Sequence, residues 1–174
     1  DRVAELADAY NADLRLRFVL PMVMRNMSLP KAKLEYILFD AAREARRIKA
    51  PFGKICDPVG RPVERGYSLL PWAIEQGRGL DFVRVFLRSV WAEGVDANSK
   101  GGMRRIVEAA GLDWQTARKI VGNDDWRQEA EANRLEMMSL GVWGVPSFKI
   151  GDVVTWGQDR LWVIENELKK NRMT

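Results

Sequence analysis

One stretch near the C-terminal end limits what this chain can fold into. It runs Gly144-Val145-Pro146-Ser147-Phe148-Lys149-Ile150, Gly151-Asp152, Val153-Val154-Thr155-Trp156, and then Gly157-Gln158-Asp159-Arg160 at the head of an apolar helix. Two short runs of β-branched and aromatic residues joined by two residues make a hairpin. Gly at the first turn position supplies the positive φ of a type II′ turn. Pro146 has no N–H to give, so it belongs at the start of a strand, on an edge or where something other than a strand lies alongside. A Val-Pro bond there can be cis. We expect it to be cis, with the Val145 backbone groups left to pair with an extended peptide.

The rest of the chain is mostly helical in pattern. Val3, Leu6, Ala7 and Tyr10 follow helical spacing, and Asn11-Ala12-Asp13 ends that helix. Leu14, Leu16, Phe18 and Leu20 alternate with Arg15, Arg17 and Val19, the period of a strand with one buried face, and Pro21 closes it. From Lys31 to about Ser139 the period is helical: Leu34, Ile37, Leu38, Ala41, Ala45 and Ile48 mark one helix, and Phe82, Val83, Phe86, Leu87 and Val90 another. Gly94, Gly101-Gly102, Gly111 and Gly122 are read as breaks between shorter helices. Asn123 or Asp124 can cap the next helix, and Gly141 suits the position after its end.

Composition narrows the chemistry. The chain of 174 residues has one cysteine, Cys56, and no histidine. That excludes, within these residues, a Ser-His-Asp or Cys-His nucleophile, a histidine metal site, a Cys-x-x-Cys pair and an internal disulfide. Cys56 sits in a loop rich in Pro and Gly, with no histidine to activate it and Asp57 beside it to raise its pKa, so it is read as a packed or inert thiol. The same loop lacks the Gly-Lys-Ser/Thr of a phosphate-binding loop. Net charge is +4, yet Lys and Arg are interspersed with Asp and Glu, so a mixed solvated surface is expected and no nucleic-acid partner. No apolar run reaches 18 residues, so no membrane span is expected.

The segment from Gly141 to Glu165 resembles the C-terminal strand, hairpin and helix of the DsbA-like branch of the thioredoxin superfamily. Within that branch it is similar to the group of 2-hydroxychromene-2-carboxylate isomerases and kappa-class glutathione transferases. The likeness rests on Gly-Val-Pro before one strand and Trp-Gly-Gln-Asp-Arg after the next. Pro30-Lys31-Ala32-Lys33-Leu34-Glu35-Tyr36, with Ala50-Pro51-Phe52 after the helix, looks like the start of the helical insertion in those isomerases.

The resemblance implies an α/β, thioredoxin-like fold with a large all-helical insertion. Residues 1–30 and 140–174 would form the core and 31–139 the insertion, in one integrated domain. It also implies that the first strand and the reactive Ser or Cys of the family would lie before Asp1. The function implied is that of a glutathione-dependent isomerase or transferase acting on a small molecule. A DsbA-like thiol-disulfide oxidoreductase and a noncatalytic binding module are the alternatives. A homodimer and a cytoplasmic location are expected.

The site residues follow from the same resemblance. Val145 and Pro146 would take the cysteinyl part of glutathione as one more short strand. Gln158 and Asp159, at a helix N-terminus, would meet its charged groups; the alternative for Asp159 is an ordinary helix cap. Lys33 would contact the tripeptide, with Lys31 as its competitor, and Asn26 lies in the loop before that helix. Trp156 would line the substrate pocket or simply pack, and Arg160 is expected to pair with a nearby carboxylate. No metal ligands are expected.

Overall fold

The structure, a computed structural model, describes residues 1–27 and 29–172. The chain divides into two compact units, one made of residues 1–19 and 128–174, the other of residues 20–127.

The first unit opens with α1 (Arg2–Ala9), which buries Ala4 and Ala7. Asn11 then turns the chain at φ 51, a left-handed conformation that Asn tolerates better than most residues. Tyr10 donates its hydroxyl to Glu165 at 3.3 Å. Farther along the chain come most of α7 (Trp126–Ser139), the strands β1 (Ser147–Ile150) and β2 (Val153–Trp156), a 3₁₀ turn at Gln158–Arg160 and α8 (Leu161–Arg172). Gly141 follows α7 at φ 75, the left-handed step that lets a helix end. The two strands pair antiparallel with Ile150 opposite Val153 and Ser147 opposite Trp156. Gly151 takes φ 52 while Asp152 is not in the positive region, which leaves type II′ rather than type I′ for the turn. The hairpin packs on α8. Phe18, Val19, Ala130, Met137, Ile164 and Leu168 form the buried apolar interior of this unit.

The strand expected over Leu14–Leu20 does not form. Its exposure alternates as a strand's would from Leu14 to Phe18, with Arg15 and Arg17 exposed, Leu14 and Leu16 half-buried and Phe18 buried. A strand, however, is defined by a partner's N–H and C=O groups, and among the described residues the sheet contains β1 and β2 alone. A side chain takes over part of that work. Buried Asn133, on α7, donates its amide to the Phe18 carbonyl at 3.0 Å and accepts from Arg17 at 3.4 Å.

The second unit is helical: a 3₁₀ turn at Met22–Arg25, then α2 (Lys31–Arg47), α3 (Arg61–Glu75), α4 (Gly79–Ala92), α5 (Lys100–Ala109), α6 (Trp114–Ile120) and the first residues of α7. The helices α3, α4, α5 and α6 pack in chain order, and α3 also meets α6. Leu69, Ala73, Phe82, Val90, Met103, Ile106, Val107, Ala117 and Trp126 fill the core between them. Two features depart from the sequence reading. The Pro/Gly-rich loop ends in α3, which takes Pro62 in its first turn, where a missing N–H costs nothing, and carries Pro71 in its interior. Gly101 and Gly102 do not separate helices; they lie inside the first turn of α5. The Ser99 hydroxyl accepts from the Gly102 N–H at 2.9 Å, and a Cβ on Gly102 would come within 1.9 Å of the Asp96 carbonyl oxygen. Gly is there for close approach, not for a break.

Candidate functional site

The hairpin places the edge. The Val145–Pro146 peptide is cis, and the Pro146 carbonyl accepts from the Gly157 N–H at 2.9 Å, one step beyond the last paired residues of β1 and β2. Val145 stands just before this bond with 59% of its surface exposed, and among the described residues no hydrogen bond engages its N–H or C=O. The Ser147 hydroxyl donates to the Gly144 carbonyl at 2.6 Å, closing the bend that presents Val145. A short extended segment laid along this edge would find one donor and one acceptor of the main chain already bare, which is how a strand is added to a sheet.

The residues after β2 gather at the start of α8. Gly157 adopts φ 102 and stands at the cap position of the 3₁₀ turn, so Asp159 is inside the first turn rather than at the cap. Its carboxylate curls back over Gly157, where a Cβ would meet Oδ1. Arg160 donates to the Trp156 carbonyl at 3.0 Å and pairs with Asp159 at 3.4 Å, the structural role expected of it. Both partners of that pair are well exposed, so it is a weak constraint on the carboxylate. The Gln158 side chain accepts a hydrogen bond from Arg2 of α1. Farther along α8, Lys169 at 2.7 Å holds the Glu165 carboxyl below the usual carboxylate range.

Five of the anticipated site residues, Val145, Pro146, Trp156, Gln158 and Asp159, thus belong to one unit and to one hairpin-helix segment. Lys33 and Asn26 belong to the other unit. Lys33 is exposed in the first turn of α2 with no ion pair among the described residues, whereas its competitor Lys31 pairs with Glu35 at 3.7 Å. Asn26 ends the 3₁₀ turn at φ 56, in the left-handed region, with an exposed side chain. Cys56 is half-buried in the second unit, and its N–H donates to the Val90 carbonyl at 2.8 Å; Asp57 is occupied in accepting from the Val59 N–H.

Trp156 takes part in an arrangement that sequence reasoning did not anticipate. Its ring lies 4.9 Å from that of Trp143 at an angle of 51°, and it covers Gly144. A Cβ on Gly144 would sit 2.7 Å from Trp156 Nε1 and Cε2, so only Gly lets the indole lie there. The signal was present in the order Trp-Gly-Val-Pro, a large aromatic and a side-chain-free residue immediately before the edge.

The chain resembles proteins whose activity has a name. It is 24% identical over 134 residues to a 2-hydroxychromene-2-carboxylate isomerase of Pseudomonas sp. (strain C18), covering 77% of this chain and 62% of that protein. It is 28% identical over 136 residues to a protein of the same name from Sphingobium xenophagum, covering 78% and 68%. For the Pseudomonas putida protein of that name the identity is 22% over 138 residues, covering 79% and 66%. The chain therefore spans about two thirds of the length of these relatives. A solved structure of a 2-hydroxychromene-2-carboxylate isomerase superposes with a TM-score of 0.72 over 97% of this chain and 86% of that one, at 20% identity, a likeness of fold. The DSBA-like thioredoxin domain model matches residues 3 to 169, nearly the whole chain, and with an open main-chain edge before the hairpin and a helical unit between its two core segments the chain belongs to the DSBA-like thioredoxin domain family.

Proposed function

We propose that this chain takes part in a glutathione-dependent isomerisation of the kind named for its relatives, on a small conjugated substrate of the 2-hydroxychromene-2-carboxylate class. The observation that carries the reading is exposed Val145, whose main-chain donor and acceptor beside Pro146 are both unengaged among the described residues. That edge fits the extended cysteinyl portion of a tripeptide, so the residues present suit glutathione. Val145 would hold that portion by main-chain hydrogen bonds. Asp159, exposed and paired with a surface arginine, would accept from the γ-glutamyl ammonium, and Gln158 would orient beside it. When bound, glutathione supplies a thiolate that adds reversibly to a conjugated double bond, so that the bond can rotate before the thiolate leaves. What the chain contributes is orientation, since fixing the partners in one geometry removes most of the entropy cost of their encounter. The active form would be a homodimer.

Glutathione titrated into ¹⁵N-labelled protein tests the proposal. The Val145 amide resonance should shift downfield as its N–H gains a partner. A Val145 resonance that stays put at saturating glutathione, or an isomerisation equally fast with and without glutathione, would sink it.

A further inference from the structure

We propose that Ser147 is a positioning residue: through its hydroxyl it aims the Val145 N–H away from the hairpin, so that the edge is set for a main-chain partner before one arrives. The proposal rests on the reading above for the identity of that partner, while the aiming itself is a property of the free chain. One peptide plane carries both groups concerned. The Gly144 carbonyl and the Val145 N–H belong to the same rigid unit, and because that peptide is trans they point in opposite directions. Whatever holds the carbonyl therefore sets the direction of the N–H. The Ser147 hydroxyl holds it at 2.6 Å, and among the described residues no other hydrogen bond reaches the Gly144–Val145 peptide. With the carbonyl turned toward Ser147, the N–H is turned away from it. A bonded carbonyl also makes its own peptide's N–H a better donor, since hydrogen bonds in a chain polarise one another.

The need for such a bond comes from the neighbouring ring. A Cβ on Gly144 would sit 2.7 Å from Trp156 Nε1 and Cε2, so the position is restricted to Gly. Gly has the freest backbone of all residues, and here it stands next to Val145, whose N–H must keep one direction to pair with an extended segment. Ser147 removes that freedom from a firm base, because it lies in β1 and is paired opposite Trp156. On the other side of Val145, the Pro146 carbonyl accepts from the Gly157 N–H at 2.9 Å. The bend is thus tied to the hairpin segment at two carbonyls, those of Gly144 and Pro146, and the unengaged groups of Val145 lie between the ties. A donor already fixed loses less conformational entropy on binding than one that must first be ordered.

Backbone ¹⁵N relaxation of the free chain reads the aiming directly. In the parent the Val145 amide should be as rigid as the strand, with an order parameter of about 0.85; in Ser147→Ala it should fall below about 0.6 while Phe148 and Lys149 stay unchanged, and Ser147→Thr, which keeps the hydroxyl, should restore it. Glutathione affinity measured by calorimetry should fall about two- to tenfold in Ser147→Ala, the scale of one neutral hydrogen bond, and recover in Ser147→Thr. A Val145 amide that is mobile in the parent, or equally rigid in the parent and Ser147→Ala, overturns the proposal, and so does equal glutathione binding by the two. Should Ser147→Ala not fold, the relaxation of the parent and Ser147→Val, which has the shape of Thr without its hydroxyl, decide in its place. A parent that binds no glutathione removes the glutathione reading alone, and the relaxation of Val145 then decides for or against Ser147.

Discussion

At the scale of single residues, the informative positions are those where one atom decides. Asp159 is one. Asp159→Asn keeps size and local hydrogen bonding but removes the charge that would meet the γ-glutamyl ammonium, an interaction worth about 1.5–3 kcal/mol. Glutathione affinity should fall about ten- to a hundredfold with the melting temperature unchanged; calorimetry giving equal affinities would reduce Asp159 to a partner of Arg160. Asn133 is another. Its buried amide donates to the Phe18 carbonyl, so Asn133→Ala removes a buried hydrogen bond and should cost about 0.5–1.5 kcal/mol in urea unfolding. An unchanged midpoint would show that this bond adds nothing net to stability. Nothing in the sequence marked Asn133, because its value lies in a carbonyl 115 positions away.

At the scale of elements, caps and close approaches carry testable weight. Ser99→Ala removes the N-cap of α5 and should lower stability by about 1 kcal/mol, or about 2–4 °C in Tm. Asp113 caps α6, accepting from the Thr116 N–H at 2.6 Å and its hydroxyl at 2.7 Å, and these bonds hold the carboxyl below its ordinary value. A carboxyl depressed on folding contributes its full stability above the unfolded pKa of about 4 and loses it as pH falls through the folded value. Asp113→Asn, which caps without titrating, should therefore flatten the acid limb of the stability curve below about pH 4; superimposable acid limbs would contradict the shift. The helical periods of α1, α2 and α4 and the turn at Gly151-Asp152 were legible in the sequence because each is set by neighbours within a few positions. Leu14–Leu20 was not, for the same reason in reverse: a strand's existence depends on a partner that the period cannot reveal.

At the scale of the whole molecule, α2 stands out within its unit. From residue 31 to residue 39 every position is exposed, Leu34, Tyr36, Ile37, Leu38 and Phe39 among them, with Phe39 at 69%. A helix apolar on more than one side is ordinarily covered, and a second copy of the chain is the cover that the proposed homodimer supplies. Sedimentation equilibrium at tens of micromolar, a range in which a standard-sized interface holds, should find a dimer. The double variant Tyr36→Glu, Phe39→Glu, which places charge on adjacent turns of one helix face, should be monomeric with unchanged helix content. A parent that sediments as a monomer refutes the dimer, and a dimeric double variant moves its interface elsewhere. Among the described residues no helix is long and apolar enough to cross a membrane.

By itself the sequence determined the local grammar. Gly-Val-Pro, Gly-Asp and Trp-Gly-Gln-Asp-Arg at their spacing specify a bend, a hairpin and a helix start, since turn dihedrals and strand length depend on residues only a few positions apart. The absence of histidine and the single cysteine removed whole classes of chemistry before any folding was considered. Only the tertiary structure decided which backbone groups would be left open and which side chains would meet. Val145 is bare because no hydrogen bond from the described residues reaches its N–H or C=O; the Trp156 ring lies over Gly144 because no Cβ stands there; Asn133 bonds Phe18 because α7 returns past that segment. Each depends on contacts between residues distant in the chain or on a vacancy at an atom's scale, and neither is written in a local period.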